Sequence, residues 1–130
     1  MKKKLMALLL VLAMAVTMLA ACGGGNAGGG ETKATVFWYE ESDVYLSSVR
    51  TALNKELEAA GIKYDNQFAG NDQAKQIDQI KTAIAGGTNL LIVNIVTSGA
   101  PDTAQDIIDA AGDIPVIFFN SAIGTDGSDV

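Results

Sequence analysis

Six of the seven residues from Leu90 to Val96 (LLIVNIV) are apolar, and this run indicates the fold class. Nearly continuous apolar runs of this length are typical of a strand that is buried on both faces of a parallel sheet. Three further short runs also predict strands: 34–39 (ATVFWY), 62–68 and 115–119 (PVIFF). The run at 62–68 is less apolar than the others, which places it nearer an edge of the sheet.

Amphipathic helix patterns separate these four strands, because apolar residues recur there at three- and four-residue spacing. The predicted helices run from Asp43 to a stop at Gly61, from a cap at Asn71 or Asp72 to Gly86-Gly87, and through Ile107 to Gly112. Strands that alternate with helices form right-handed crossovers, so we expect an α/β fold with a doubly wound parallel sheet in the order 2-1-3-4. This order creates a switch point between strands one and three, where ligands bind beyond the carboxyl ends of the strands.

The N-terminal region is typical of an exported lipoprotein. Three lysines follow Met1, and residues 5–21 carry no charge, which predicts a secretory signal peptide over residues 1–21. The run Leu19-Ala20-Ala21-Cys22 resembles a lipobox, so we expect Cys22 to receive a lipid; the alternative is a buried free cysteine. Residues 22–33 would form a glycine-rich tether, and the chain would be lipid-anchored on the outer face of the cytoplasmic membrane.

Composition argues against several classes of protein. Without the three N-terminal lysines, six Lys and Arg residues remain against fifteen Asp and Glu, a formal charge of −9, which disfavours nucleic acid as a partner. The sequence has no His and a single Cys, so a zinc site or a catalytic triad is hard to assemble and no intrachain disulfide can form. We therefore expect a binding protein with no catalytic residues and no metal site.

Polar and aromatic residues cluster at the predicted switch point. Asp43 and Tyr45 follow strand one, and Asn94 lies at the carboxyl end of strand three. A sugar needs hydrogen-bonding partners for its hydroxyls and a flat apolar wall for its ring, which these three side chains can supply. Each also has a structural alternative: Asp43 as a helix cap, Tyr45 as a core aromatic, and Asn94 as a residue that satisfies loop amides.

Three segments together resemble the type I periplasmic sugar-binding proteins of ABC uptake systems, and among them most those for galactose and glucose. They are VFWYEESDVYLSSVRTAL, NDQAKQIDQIKTAIAGGTNLLIVNIV and PVIFFN, within residues 34–121. The resemblance implies that Asp43 and Asn94 hydrogen-bond the sugar, that Tyr45 stacks on its ring, and that Asn120 lies near the same rim. Val44, Tyr45 and Thr97 stand where the family commonly has Asn, Phe and Asp. The residues 71–73 fit helix capping better than sugar contact.

The resemblance also implies a two-lobed protein that closes on its ligand between the lobes. Residues 34–130 would form most of the first lobe, and a second lobe with further sugar contacts and a calcium loop would lie in a missing part. We expect no cofactor in this fragment, and an uncovered fourth strand that leaves the fragment marginally stable.

The expected role is to capture a monosaccharide such as galactose or glucose and to deliver it to the membrane subunits of an ABC permease. One alternative is a binding protein for ribose, xylose or a furanosyl signal. Another is a sugar sensor coupled to a chemoreceptor or a sensor kinase. A sugar-responsive repressor is disfavoured by the signal peptide and by the lack of a helix-turn-helix segment.

Overall fold

The computed structural model describes residues 30–121 of the 130-residue chain. The predicted signal peptide, the lipid site at Cys22 and most of the tether lie outside the described residues. Strands and helices alternate in the described part as β1 (Lys33–Trp38), α1 (Val44–Ala59), β2 (Lys63–Phe68), α2 (Gln73–Ala85), β3 (Leu90–Val93), α3 (Pro101–Ala111) and β4 (Val116–Phe118).

The sheet confirms the predicted topology. Its strand order is β2-β1-β3-β4, and each neighbouring pair is parallel. The pairing aligns Ala34 with both Tyr64 and Leu90, and Leu91 with Val116. The least apolar strand, β2, lies at an edge as expected.

The ends of the helices follow local chemistry. Asp43 caps α1 and Asp72 caps α2, each through a side-chain oxygen that accepts a hydrogen bond from a backbone amide of the first turn. Of the two caps considered for α2, the structure therefore selects Asp72. Gly61 follows α1 with a φ of 69°, a left-handed conformation that glycine adopts without steric cost.

Two of the predicted strands are shorter than expected. β3 ends at Val93 rather than at residue 96, and β4 covers only Val116–Phe118. Beyond β3 the amide of Val96 is bonded to the side chain of Gln76 on α2 instead of to a neighbouring strand. The backbone pairing of β3 with its neighbouring strands therefore ends before Val96, whose amide is bonded by a side chain.

Apolar side chains cover both faces of the sheet. Val36 and Trp38 point to the face that carries α1, whereas Phe37 points to the face that carries α2 and α3, as the period of two requires. On β3, Leu91 and Val93 pack on the second face and Ile92 on the first, so this strand is buried on both sides as predicted. On β4, Ile117 is 50% exposed.

No helix within residues 30–121 is both long enough and apolar enough to cross a membrane.

Candidate binding site

The carboxyl edge of the sheet gathers the four loops that follow the strands. Polar side chains from these loops bond to one another and to the first turns of α1 and α2, which begin at the same edge. Asp43, Asn94 and Asn120, which were predicted as site residues, belong to these loops, and Tyr45 lies in the first turn of α1.

Asp43 is held rigidly at the start of α1. Its Oδ1 accepts a hydrogen bond from the amide of Leu46 at 2.9 Å, and its Oδ2 accepts one from the hydroxyl of Tyr39 at 2.8 Å. The Leu46 amide, and after it the Tyr39 hydroxyl, lower the pKa of Asp43, while the bond to Asp43 raises the pKa of Tyr39. A carboxylate has about four acceptor positions, so Asp43 is both a helix cap and a fixed acceptor with capacity left for a ligand.

Glu40 is a second organised carboxylate, and sequence reasoning did not assign it to the site. Its Oε1 accepts from the amides of Glu41 at 2.7 Å and Ser42 at 3.4 Å, and its Oε2 accepts from Nδ2 of Asn71 at 2.6 Å. The Glu41 amide is the main cause that lowers the pKa of Glu40. Because Asn71 follows β2, this carboxylate joins the loop after β1 to the loop after β2.

Tyr45 lies on the surface at the first turn of α1. Its side chain is 65% exposed and that of its neighbour Val44 is 85% exposed. The alternative of a core aromatic therefore does not describe this residue, and the tyrosine ring presents an open flat surface two residues after Asp43.

Asn94 is fully buried at the end of β3. Its Nδ2 donates to Oγ of Ser121 at 2.9 Å and to the carbonyl of Phe119 at 3.3 Å. Its Oδ1 is buried and has no hydrogen-bond partner among residues 30–121. An unpaired buried acceptor costs about 1–3 kcal/mol, so this oxygen is a place where a donor from water or a ligand would stabilise the protein.

Two glutamines of α2 hold the backbone that follows Asn94. Nε2 of Gln76 donates to the carbonyl of Asn94 at 2.9 Å, and its Oε1 accepts from the amide of Val96 at 3.3 Å and from Nε2 of Gln73 at 3.1 Å. Oε1 of Gln73 accepts from the amide of Thr97 at 2.8 Å. Gln73 thus contacts the β3 loop instead of capping α2, contrary to the expectation for residues 71–73.

The sequence carried a signal for Gln76 that the prediction did not use. The apolar stripe of α2 includes Ile77, Ile80 and Ile84, and Gln76 lies one turn before Ile80 on the buried side of the helix. A glutamine at such a position is buried only if its amide is hydrogen-bonded, which points to a specific partner.

Asn120 lies beside the Asn94 group. It is exposed and has a φ of 63°, a left-handed conformation that asparagine tolerates better than most residues. Phe119 and Ser121, on either side of it, both accept hydrogen bonds from Asn94. The structure thus brings Asn94 and the segment around Asn120 together. Among residues 30–121, no hydrogen bond links this group directly to Asp43 or Tyr45.

Aromatic rings and the guanidinium of Arg50 pack together near the carboxyl ends of β1 and β2. Trp38 and Phe119 meet edge to face, with centroids 5.2 Å apart, and Nε1 of Trp38 donates to Oδ1 of Asn66 at 2.8 Å. The guanidinium of Arg50 lies 5.0 Å from the ring of Phe68 and 5.9 Å from that of Trp38. The cation–π contacts of Arg50 join the end of β1 to the end of β2.

Within the described residues, no group of three or more acidic, histidine or cysteine side chains could hold a metal ion. The polar groups at the carboxyl edge are carboxylates, amides and hydroxyls. They can accept and donate hydrogen bonds to a polar ligand.

Comparison with known proteins assigns the class. A model of the periplasmic binding protein domain family matches residues 34–130, and the chain belongs to this family. The match spans all of the described sheet except its first residue, Lys33, so the fold and the family agree.

Solved structures of ABC-transporter binding proteins are similar to the chain. Caulobacter myo-inositol binding protein bound to myo-inositol is 25% identical, with a TM-score of 0.59 over 73% of this chain and 32% of that chain. An ABC transporter solute binding protein from Bradyrhizobium sp. BTAi1, with bound bis-tris, is 25% identical, with a TM-score of 0.63 over 74% of this chain and 29% of that one.

A third similar structure, an ABC transporter solute binding protein from Clostridium phytofermentans with bound β-D-glucose, is 23% identical. Its TM-score is 0.56 over 72% of this chain and 30% of that chain, and at this identity the likeness shows the fold alone. The chain spans about a third of the length of the solved structures it matches.

Proposed function

We propose that this chain is a sugar-binding lobe of an ABC uptake system, which captures a monosaccharide and delivers it to the membrane subunits of a permease. The observation that carries the proposal is the pairing of Asp43 with Tyr45. A carboxylate fixed by two hydrogen bonds, with acceptor positions left over, lies two residues before an exposed aromatic ring. Asp43 would accept hydrogen bonds from sugar hydroxyls, and Tyr45 would stack on the ring.

Asn94 and Asn120, in the loops that follow β3 and β4, complete the proposed site. A sugar hydroxyl is a suitable donor for the unpaired Oδ1 of Asn94. Because Asn94 is fully buried and bonded to Ser121, contact with a sugar requires the segment 119–121 to shift. Asn120 lies within that segment, so its carboxamide would meet the ligand as the segment moves.

For the ligand we propose a six-membered ring with several hydroxyls, galactose or glucose first. The three segments that resemble galactose- and glucose-binding proteins support this choice. The similar Caulobacter protein, which binds the six-membered polyol myo-inositol, supports the same shape of ligand. The role is binding and delivery, without chemical conversion of the sugar.

The proposed location is outside the cytoplasmic membrane, with a lipid on Cys22 as the anchor. The support is the signal-peptide pattern over residues 1–21 and the small residues before Cys22. Incorporation of radiolabelled fatty acid into the chain, and its loss in Cys22→Ala, is the expected result. An unlabelled chain recovered in the soluble fraction would remove the anchor from the proposal.

The test of ligand class is a thermal-shift and calorimetry series on the full chain. Galactose, glucose, myo-inositol, ribose and xylose are compared at equal concentrations, and a ligand at a hundredfold over its Kd stabilises by about 2.7 kcal/mol. We expect a hexose to give the largest shift. A shift with ribose or xylose alone would contradict the hexose assignment, and no shift with any sugar would contradict the proposed function.

A matched pair of variants separates binding from helix capping. Asp43→Asn and Asp72→Asn both alter a capping aspartate, in α1 and α2 respectively. We expect only Asp43→Asn to weaken sugar binding, because an amide has one acceptor oxygen where the carboxylate has two. Equal affinities in the two variants would show that Asp43 acts as a cap alone.

A further inference from the structure

We propose that Gln76, supported by Gln73, is a positioning residue for sugar recognition: it fixes the loop that carries Asn94 and so sets the affinity and selectivity of the site. This inference rests on the proposed function, because it assigns a role toward the same ligand. Gln76 and Gln73 themselves need not touch the sugar.

Several backbone groups of the loop after β3 depend on these two side chains for their hydrogen bonds. β3 ends at Val93, so the peptide groups after Asn94 have no strand that continues beside them. Gln76 bonds the carbonyl of Asn94 and the amide of Val96, and Gln73 bonds the amide of Thr97. Three consecutive peptide groups of the loop, from Asn94 to Thr97, thus each have one polar atom bonded by the first turn of α2.

The primary amide of Gln76 matches the hydrogen-bonding groups of this loop. A primary amide offers a donor and an acceptor on the same flat group, and Gln76 uses both toward the loop. Methionine or leucine fills similar space and offers neither, whereas ionised glutamate offers acceptors only. The position therefore requires glutamine for its hydrogen bonds and not only for its volume.

Asn94 links the loop held by Gln76 to the proposed ligand. The backbone of Asn94 is held on one side by its amide, which donates to the carbonyl of Phe37 at 2.8 Å, and on the other by Gln76 at 2.9 Å. With both backbone groups bonded, the backbone of Asn94 stays in place even where the segment 119–121, which holds its carboxamide, shifts. An acceptor on a fixed backbone binds a hydroxyl with less loss of conformational freedom than one on a mobile loop, which is the basis of preorganisation.

A matched control exists on the same helix. Gln79 is also on α2, and its Nε2 donates to a backbone carbonyl, that of Phe68 at 3.0 Å, whereas no hydrogen bond joins it to the β3 loop within residues 30–121. Gln76→Met and Gln79→Met each remove one side-chain amide that bonds to backbone. Only the first frees the loop that carries Asn94.

The experiment measures sugar affinity by calorimetry for the full chain, Gln76→Met and Gln79→Met, together with hydrogen exchange of the backbone amides. We expect about tenfold weaker binding for Gln76→Met, as loss of loop hydrogen bonds of ordinary strength implies. We also expect faster exchange at the Val96 amide, and neither change for Gln79→Met. If the unaltered chain binds a sugar and Gln76→Met binds it equally well, the positioning role is refuted while the proposed function stands. If the unaltered chain binds no sugar, the proposed function fails and the positioning role falls with it.

A second variant covers the case in which Gln76→Met does not fold. In Gln76→Glu, the ionised carboxylate opposes the carbonyl of Asn94, whereas the protonated acid can donate to that carbonyl and still accept from Val96. The ratio of its Kd to that of the unaltered chain is therefore expected to fall as the pH is lowered through the range in which the new carboxyl becomes protonated. A ratio that does not change with pH contradicts the positioning role.

Discussion

The hydroxyl pair formed by Thr35 and Thr88 gives a sharp test of the energetics of this fold. The two Oγ1 atoms are 2.6 Å apart, and the residues are only 2% and 4% exposed. Replacing one threonine by valine keeps the shape but leaves the other hydroxyl buried without this partner. Such an orphaned group costs about 1–3 kcal/mol, whereas removal of both partners is close to neutral. We expect Thr35→Val and Thr88→Val each to lower the free energy of unfolding by about 1–3 kcal/mol, and the double variant to lie within about 1 kcal/mol of the unaltered chain.

The assay is urea unfolding of the four chains, with equal m-values required for the comparison. Thr82→Val is the control, because Thr82 is exposed and its hydroxyl donates only to a carbonyl of its own helix, that of Asp78. This control is expected to change stability by less than about 0.5 kcal/mol. The pair lies on the amino-terminal side of β1 and β3, away from the proposed site, so sugar affinity should stay the same in all variants. Additive losses in the double variant would refute the reasoning, because independent sites add and coupled ones do not.

Four further predictions concern the site and the core. Folding lowers the pKa values of Asp43 and Glu40. The stability that these carboxylates contribute is therefore present above about pH 4 and is lost as the pH falls through their folded pKa values. We expect the free energy of unfolding of Asp43→Asn to depend less steeply on pH in acid than that of the unaltered chain. At the alkaline end the pKa of Tyr39 is raised, so the stability from its bond to Asp43 is lost as the pH rises through the folded value, and Tyr39→Phe should remove this loss in alkaline melts. Tyr45→Ala should weaken sugar binding in calorimetry with little change in melting temperature, because the side chain is mostly exposed, and a lower melting temperature with unchanged affinity would count against a binding role. Ile107→Ala should cost about 2–5 kcal/mol in urea unfolding, because the side chain is fully buried between α3 and the sheet, and a loss below about 1 kcal/mol would contradict the described packing.

The topology could be predicted from the sequence because the apolar runs, the helix periodicity and the positions of the glycines all indicated the same fold. The apolar run that contains Leu91 to Val93 is buried on both faces, the less apolar β2 lies at the edge, and glycines follow the helices. These features depend on local periodicity and on the handedness of the crossovers, which a single sequence carries. The lengths of β3 and β4 could not be predicted in the same way. The apolar run continues through Ile95 and Val96, but the structure ends the strand earlier because Gln76 takes the backbone hydrogen bonds there.

The sequence predicted that the candidate residues lie at the carboxyl edge of the sheet. It did not predict their exposure or their hydrogen-bond partners. Asp43 and Asn94 follow β1 and β3 as expected, because any residue after a parallel strand lies at the carboxyl edge. The exposure of Tyr45 and the burial of Asn94 depend on partners far away in the chain, such as Ser121, and no local pattern encodes them. Glu40 was missed because its role is set by Asn71, thirty-one residues further on.

Asn94 and Gln76, which lie together at the carboxyl edge of the sheet, differ in how completely their side-chain hydrogen bonds are satisfied. Both residues are fully buried amides, and burial of an amide is tolerated when its hydrogen bonds are made. Gln76 has a partner for both its nitrogen and its oxygen, so its amide is accounted for by the fold. Asn94 has partners for its nitrogen and none for its oxygen, so the fold alone does not account for it. A donor from a ligand hydroxyl at this oxygen would recover the free energy that the unpaired acceptor costs, and this is the physical reason for proposing Asn94 as a binding residue.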